Sequence, residues 1–366
     1  MTFIEILGLF TILLAQSQVH SSLPDFQDGA SLTETVGNSI QVPTQAEGDA
    51  VMQLKLARAY EHGDGVSQDT RLAAKWYTRA ATQGNAEAQD RLGELLLTGE
   101  GIEQDKEAAI TWFQRSARQG NASAMFNLGA AYYNGDEVGV SDVLSYAWFV
   151  LAREAGNQRA AEAMQRAESQ MHEQSITSAL IKIAEMYEKD GAMPESPSQA
   201  ARWWLKAAQR GDHDAQIKMG DRLIRGWGVP QDFGQARFWC TEAAKQHDHR
   251  GEYCLGYLAQ HGMGITPDAK EARKQYELAA GSSNVPAMKA LAQMDTAGEG
   301  GKIDLVAASL LYARLAVAKD NEAIQSLAKL KNQMSAKQWK EVEKRLTDMH
   351  IDPARIDAAL MTINSR

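Results

Sequence analysis

From residue 50 onward the chain is written in a repeating pattern of apolar, small and polar positions with a period of 36 residues. Ala86 to Asn121, AEAQDRLGELLLTGEGIEQDKEAAITWFQRSARQGN, is one such unit. Ala50 to Asn85 and Ala122 to Asn157 flank it at the same length. Thr177 to Asp212, His213 to Asp248 and His249 to Asn284 follow, and Val285 to Asn321 closes the series with 37 residues. Within each unit the apolar positions have helical spacing in two segments, separated by a glycine-rich loop. The pattern predicts helix, short loop, helix, tight turn.

Each position kept in register has a physical task. Leu92-Gly93 returns as Leu128-Gly129, Met219-Gly220 and Leu255-Gly256, where a small residue allows a neighbouring helix to come close. Gly99 and Gly101 return as Gly63 and Gly65, Gly226 and Gly228, and Gly262 and Gly264; they are expected to end the first helix in the left-handed region. Asp69, Asp105, Asp232 and Asp268 are placed to cap the second helix. Trp76, Trp112, Trp148, Trp203 and Trp239 read as core anchors inside it. The pairs Ala80-Ala81, Ala207-Ala208, Ala243-Ala244 and Ala279-Ala280 allow tight contact with the next unit. A two-helix hairpin cannot bury both faces alone, but a stack of hairpins builds a continuous core.

The pattern LG-x-x-Y/L-x-x-G-x-G-V/I, then D, then A-x-x-W-Y/F-x-x-AA-x-x-G, resembles the Sel1-like repeat family, a tetratricopeptide-like group. The likeness runs through all seven units. It implies an all-α chain folded as a right-handed superhelical α/α solenoid. Some units depart from the pattern. The loop of unit four is Asp190 to Ser198, DGAMPESPS, while Gln275 and Leu311 stand where units six and seven should have tryptophan.

Two further segments carry apolar residues at helical spacing: residues 158–175 after unit three and residues 322–339 after unit seven. An array needs such helices to cover an exposed terminal face. The expected organisation is a first block over 50–176, with three repeats and an extra helix. A second block follows over 177–366, with four repeats and amphipathic capping helices.

Ahead of the array, Phe3 to Ala15 reads FIEILGLFTILLA, the length of a signal-peptide core and short for a bilayer span. Compact residues at Val19-His20-Ser21 offer a cleavage site, although no Lys or Arg precedes Lys55. The expectation is a signal peptide over 1–21, a flexible leader over 22–49 rich in Gly, Pro, Ser and acids, and a periplasmic location. A net charge of −9 argues against a nucleic-acid partner. No stable membrane insertion is expected, and the free chain reads as a monomer.

Catalytic signatures are sparse. GxSxG, HExxH and CxxC do not occur. Gly298-Glu299-Gly300-Gly301-Lys302 lacks the spacing of a phosphate loop, and Gly63 to Asp69 lacks the acids of a calcium loop. His247-Asp248-His249, with His213 and His261 a unit to either side, is the best metal candidate, yet the histidines lack helical i, i+4 partners and read as turn residues. No cofactor, metal or catalytic residue is assigned. Cys240 and Cys254 lie seven residues either side of His247 and read equally well as a disulfide or as two buried thiols.

The function is then expected on the face lined by the first helices, which is concave in a solenoid. Positions off the repeat pattern there are Arg58, His62, Arg91, Glu94, Phe126, Asn127, Tyr133, Lys182, Glu185, Lys218, Asp221, Arg225, Tyr253, Tyr257 and His261. Aromatic and Arg residues are common interface anchors, although Phe126 and Tyr253 also suit gap-filling between units. The reading is a non-enzymatic protein-binding solenoid of the cell envelope. The resemblance includes exported immunity proteins that neutralise secreted antibacterial effectors such as phospholipases, which makes a periplasmic inhibitor of a toxin the specific expectation. An adaptor for envelope polysaccharide or secretion assembly is the alternative, and a cell-wall hydrolase the weakest reading.

Overall fold

The computed structural model describes residues 48–189 and 191–364. The signal peptide and all but the end of the leader expected from the sequence lie outside the described residues. The described residues belong to one compact unit. Among the described residues there are eighteen helices and no strand, so the chain is an all-α solenoid.

Seven helix pairs correspond to the seven units. They are α1 (Ala50–His62) with α2 (Thr70–Thr82), α3 (Ala86–Thr98) with α4 (Lys106–Arg118), and α5 (Ala122–Asn134) with α6 (Asp142–Glu154). After the extra helix α7 (Gln158–Glu168) come α8 (Glu173–Met186) with α9 (Pro197–Gln209), and α10 (His213–Arg225) with α11 (Phe233–Lys245). The series ends with α12 (His249–Gln260) and α13 (Ala269–Gly281), then α14 (Val285–Ala297) and α15 (Leu305–Val317). Three helices follow: α16 (Asn321–Gln333), α17 (Ala336–Asp348) and α18 (Pro353–Asn364). From α1 to α16 each helix packs on its successor, with one exception. At α7 the stack bypasses the extra helix, and α6 packs directly on α8.

Side-chain caps define almost every helix start. Asp69, Asp105, Ser141, Ser196, Asp232, Asp268 and Asp304 cap the second helices, and Asn85, Asn121, Asp212, Asp248, Asn284 and Asp320 cap first helices and α16. Each accepts a bond from an otherwise orphaned N–H, an interaction worth about 1 kcal/mol. Asp49, the last residue of the leader, caps α1. The repeat therefore ends in its own next start signal.

The core sits between the two helices of each pair and between neighbouring pairs. Trp76, Trp112, Trp148, Trp203 and Trp239 are all buried. The residue after each tryptophan is buried too, and in units two, three and five it packs across the pair on the glycine of the first helix. A Cβ placed on Gly129 would meet the Phe149 ring at 2.5 Å, and one on Gly256 would meet Tyr276 at 2.7 Å. Gly101 serves contact between units in the same way, since a Cβ there would lie 2.3 Å from the Thr70 carbonyl oxygen. In units one, two and five a buried glutamine of the first helix is bonded by an exposed one after the second: Gln83 bonds Gln53, Gln119 bonds Gln89 and Gln246 bonds Gln216, at 2.8, 2.8 and 2.9 Å. The loop of unit four is anchored by Met193, which is buried and donates its N–H to the Met186 carbonyl at 2.9 Å, before Pro197 opens α9.

Candidate functional site

The first helices of units one to three are tied to one another by side chains. The ties form a network. Arg58 on α1 pairs with Glu87 on α3. Arg91 on α3 reaches back to Glu61 on α1 and also holds Glu94 on its own helix. Asn127 on α5 donates to Asp90 at 3.0 Å and to Glu94 at 3.2 Å. The Tyr77 hydroxyl donates to Glu61 at 2.5 Å from the second helix behind. The face is thus ordered before any partner arrives.

The carboxylates in the network differ in character. Burial works to raise the Glu61 carboxyl, but the bonds from Tyr77 and Arg91 outweigh it and hold it below its ordinary value. Asp90 is pushed up to about 7, first by burial and then by the nearby charge of Glu94. It occupies a register where other units place Leu54, Phe126, Ile181, Ile217 and Tyr253. An acid at an apolar register was a legible signal, and reading the repeat only for what is shared misses it. Glu61 and Tyr77 were hidden because their partners lie on other helices.

The remaining expected residues fall into local groups. His62 is exposed, 3.7 Å from Glu61. Phe126 is half-buried, 5.5 Å from Phe149, with the Arg159 guanidinium 4.5 Å above its ring. The Tyr133 hydroxyl accepts a long bond from Gln170 at 3.4 Å. Lys182 pairs with Glu185 at 3.0 Å and Arg225 with Asp221 at 2.5 Å, each along a single helix. Lys218 lies 5.7 Å from the Trp204 ring. On α12, Tyr257 stacks on His261 at 4.2 Å, while Tyr253 sits 5.7 Å from Tyr276 of the paired helix. Phe126 and Tyr253 therefore fill space within their own units, as well as reaching the face.

Two other clusters lie along the same helices. Arg222, 1% exposed, donates to Glu188 at 2.6 Å, and Trp204 donates to the same carboxylate at 2.9 Å. At the junction of units five and six, His213, Asp214 and Asp248 converge closely enough to hold an ion. Arg250 occupies that place, bonding Asp214 and Asp248 together. Burial opposes ionisation of Asp248, but the bonds from Arg250 and His213 prevail and keep its carboxyl well below the usual range. The cluster is a complete ion-pair network with its cation supplied by the chain. Neither His247 nor His249 takes part.

Close by, a disulfide joins Cys240 on α11 to Cys254 on α12 across 14 positions, with Cα atoms 6.0 Å apart. Cys240 takes the register of Phe113 and Phe149, and its sulfur lies over Gly220 where those units place a ring over glycine. Cys254 takes the register of Arg91, Asn127, Lys182 and Lys218. One groove-side position of unit six is thus spent on a covalent link between units.

The hairpin register, the seated rings and the glycine loops agree with a sequence match to one family. The pattern described as Sel1 repeat matches residues 50–85, 86–121, 122–157, 177–212, 213–248 and 250–284, more than half of the chain. The chain belongs to the Sel1 repeat family. The unmatched seventh pair, α14 and α15, repeats the same hairpin with Ala292 and Tyr312 at the glycine and ring positions. Sel1 repeats are in general non-catalytic scaffolds that mediate protein–protein interaction.

Solved structures with related repeats include c5321, a protective antigen of uropathogenic Escherichia coli displaying an SLR fold. It is 26% identical with a TM-score of 0.43, over 87% of this chain and 71% of that one. A Sel1 repeat protein from Oxalobacter formigenes is 25% identical with a TM-score of 0.39, over 79% and 78%. The immunity protein Pa5087 from Pseudomonas aeruginosa is 18% identical with a TM-score of 0.27, over 65% and 83%. No curated protein matches the chain. Among the described residues, no helix is long and apolar enough to cross a membrane.

Proposed function

We propose that this Sel1 repeat chain is an exported, non-catalytic binding protein of the periplasm. The observation that carries the reading is the set of linked first helices in units one to three, where Arg58, Arg91, Glu94 and Asn127 are held by one another and by neighbouring units. Side chains ordered beforehand lose less entropy on binding a partner. The Cys240–Cys254 disulfide supports an oxidising compartment, as does the apolar segment Phe3 to Ala15.

The partner in this reading is a secreted antibacterial effector, and the chain is its immunity protein. The net charge of −9 favours a basic partner by steering encounter. The solenoid binds the effector one to one and blocks access of substrate. The test is capture from envelope extract with the full chain as bait, followed by competition between a deletion strain and its kin. One dominant captured effector, with killing of the deletion strain, supports the proposal. Several co-purifying envelope components and unchanged fitness would favour an assembly adaptor instead.

A further inference from the structure

Units one, two and four display one arrangement three times. The tryptophan of the second helix is buried, and the cation three residues later lies over its indole. Arg79 is 4.6 Å from the Trp76 centroid, Arg115 is 4.6 Å from Trp112, and Lys206 is 3.6 Å from Trp203. In unit six both partners of the pair are gone, with Gln275 and Leu278 in their places. Unit seven is different. It keeps the cation as Arg314 but has Leu311 at the ring position.

A cleft of about 700 Å³ opens at that point of the solenoid. Leu310, Leu311 and Arg314 of α15 line one side, and Arg345 of α17 and Met349 just after it contribute to the wall. Met349 and Ile303, both in its lining, are exposed large apolar residues at 42% and 64%. Arg345 is held by Glu341 at 2.8 Å, whereas Arg314 makes only a long bond to the Ser283 hydroxyl at 3.3 Å. Arg273, Glu277, Asp295, Lys302 and Asp304 also line the cleft, so it combines apolar patches with charged walls and a lightly held guanidinium. Two sister units show such a guanidinium over an indole, and a third places the Lys206 ammonium there.

We propose that this cleft receives a tryptophan side chain from a protein partner, stacked on Arg314, so that the partner completes the arrangement that units one, two and four complete themselves; units three and five keep the tryptophan but place Leu151 and Glu242 at the cation position. A guanidinium over an indole face is favourable, and an aromatic anchor in a pocket is a common centre of binding energy. The site is separate from the face of first helices. It relies on the protein-binding reading only for the source of the ring.

The site is tested with a free probe, so that it stands or falls apart from the identity of any effector. Saturation-transfer NMR is recorded on the full chain with N-acetyl-L-tryptophanamide, using N-acetyl-L-leucinamide as control. Transfer to the indole protons should be saturable and at least about fivefold stronger than to the leucine amide. Leu311→Trp should fold, because it restores the residue of the sister units, and should reduce the transfer about tenfold. Arg314→Gln should reduce it severalfold without changing the melting temperature of the chain. Absence of transfer, or equal transfer with folded Leu311→Trp, would overturn the proposal. If Leu311→Trp does not fold, undiminished binding by Arg314→Gln overturns it equally. Indole binding without any captured protein would leave the cleft and sink only the protein-partner reading.

Discussion

The Phe113 ring occupies the space that a side chain on Gly93 would need: a Cβ there would lie 2.6 Å from the ring edge. Gly93 belongs to the first helix of unit two and Phe113 to the second. The contact sets how closely the pair can approach. Gly93→Ala should destabilise the array by about 1–3 kcal/mol, the usual cost of overpacking. The double variant Gly93→Ala/Phe113→Leu should recover part of that loss. Urea unfolding of the single and double variants measures both, and strictly additive losses would contradict the contact.

Asp90 gives the array a pH dependence of unusual sign. Its folded value of about 7 lies above the unfolded value near 4, so the folded state binds the extra proton between those limits. Its contribution is therefore most favourable below about pH 4 and falls as pH rises toward 7, by about 4 kcal/mol at the limit. Asp90→Asn should be more stable than the parent at pH 8 and should gain little on acidification to pH 5. Urea midpoints at several pH values test this. A difference between the two proteins that does not vary with pH would count against it.

Reducing the disulfide should loosen units five and six. Its loop is short, and the chain-entropy model gives about 3 kcal/mol for a closure of this size. Cys240→Ser/Cys254→Ser should lower the unfolding midpoint, and reductant should have no further effect on that variant. Thiol labelling of the unfolded, unreduced parent should find no free sulfhydryl, whereas two labelled cysteines would refute the link.

Two arginines on α10 should behave differently. Arg222 is fully buried against Glu188, and removing it leaves a half-buried carboxylate without its cation, still accepting from the Trp204 N–H. Arg222→Ala should cost about 3–5 kcal/mol. Arg225 meets Asp221 in the open, and Arg225→Ala should cost less than about 1 kcal/mol. Equal losses in thermal or urea unfolding would show that burial does not separate the two pairs.

The repeat made most of the fold legible. Glycine, tryptophan and aspartate at fixed spacing announce helix ends, core and caps because each task admits few residue types. Details set by a neighbouring unit were harder to read. The extra helix was visible between units three and four, but α8 begins at Glu173, four residues before the unit boundary, because no side-chain cap at His172 marks its start. The seated rings were missed as partners of the LG glycine, since the two lie twenty positions apart on facing helices. On the candidate face, residue types off the repeat pattern identified Arg91 and Asn127 but not their engagement with Glu61 and Asp90. That engagement depends on which turn of one helix lies beside which turn of the next.

Because α6 meets α8 as though nothing stood between them, α7 is a side branch and not a rung. Sequence drift, lengthening or a grafted segment at that junction would alter what the flank displays while the neighbouring hairpins keep their mutual seat, which gives the molecule one place to acquire novelty without retuning its frame.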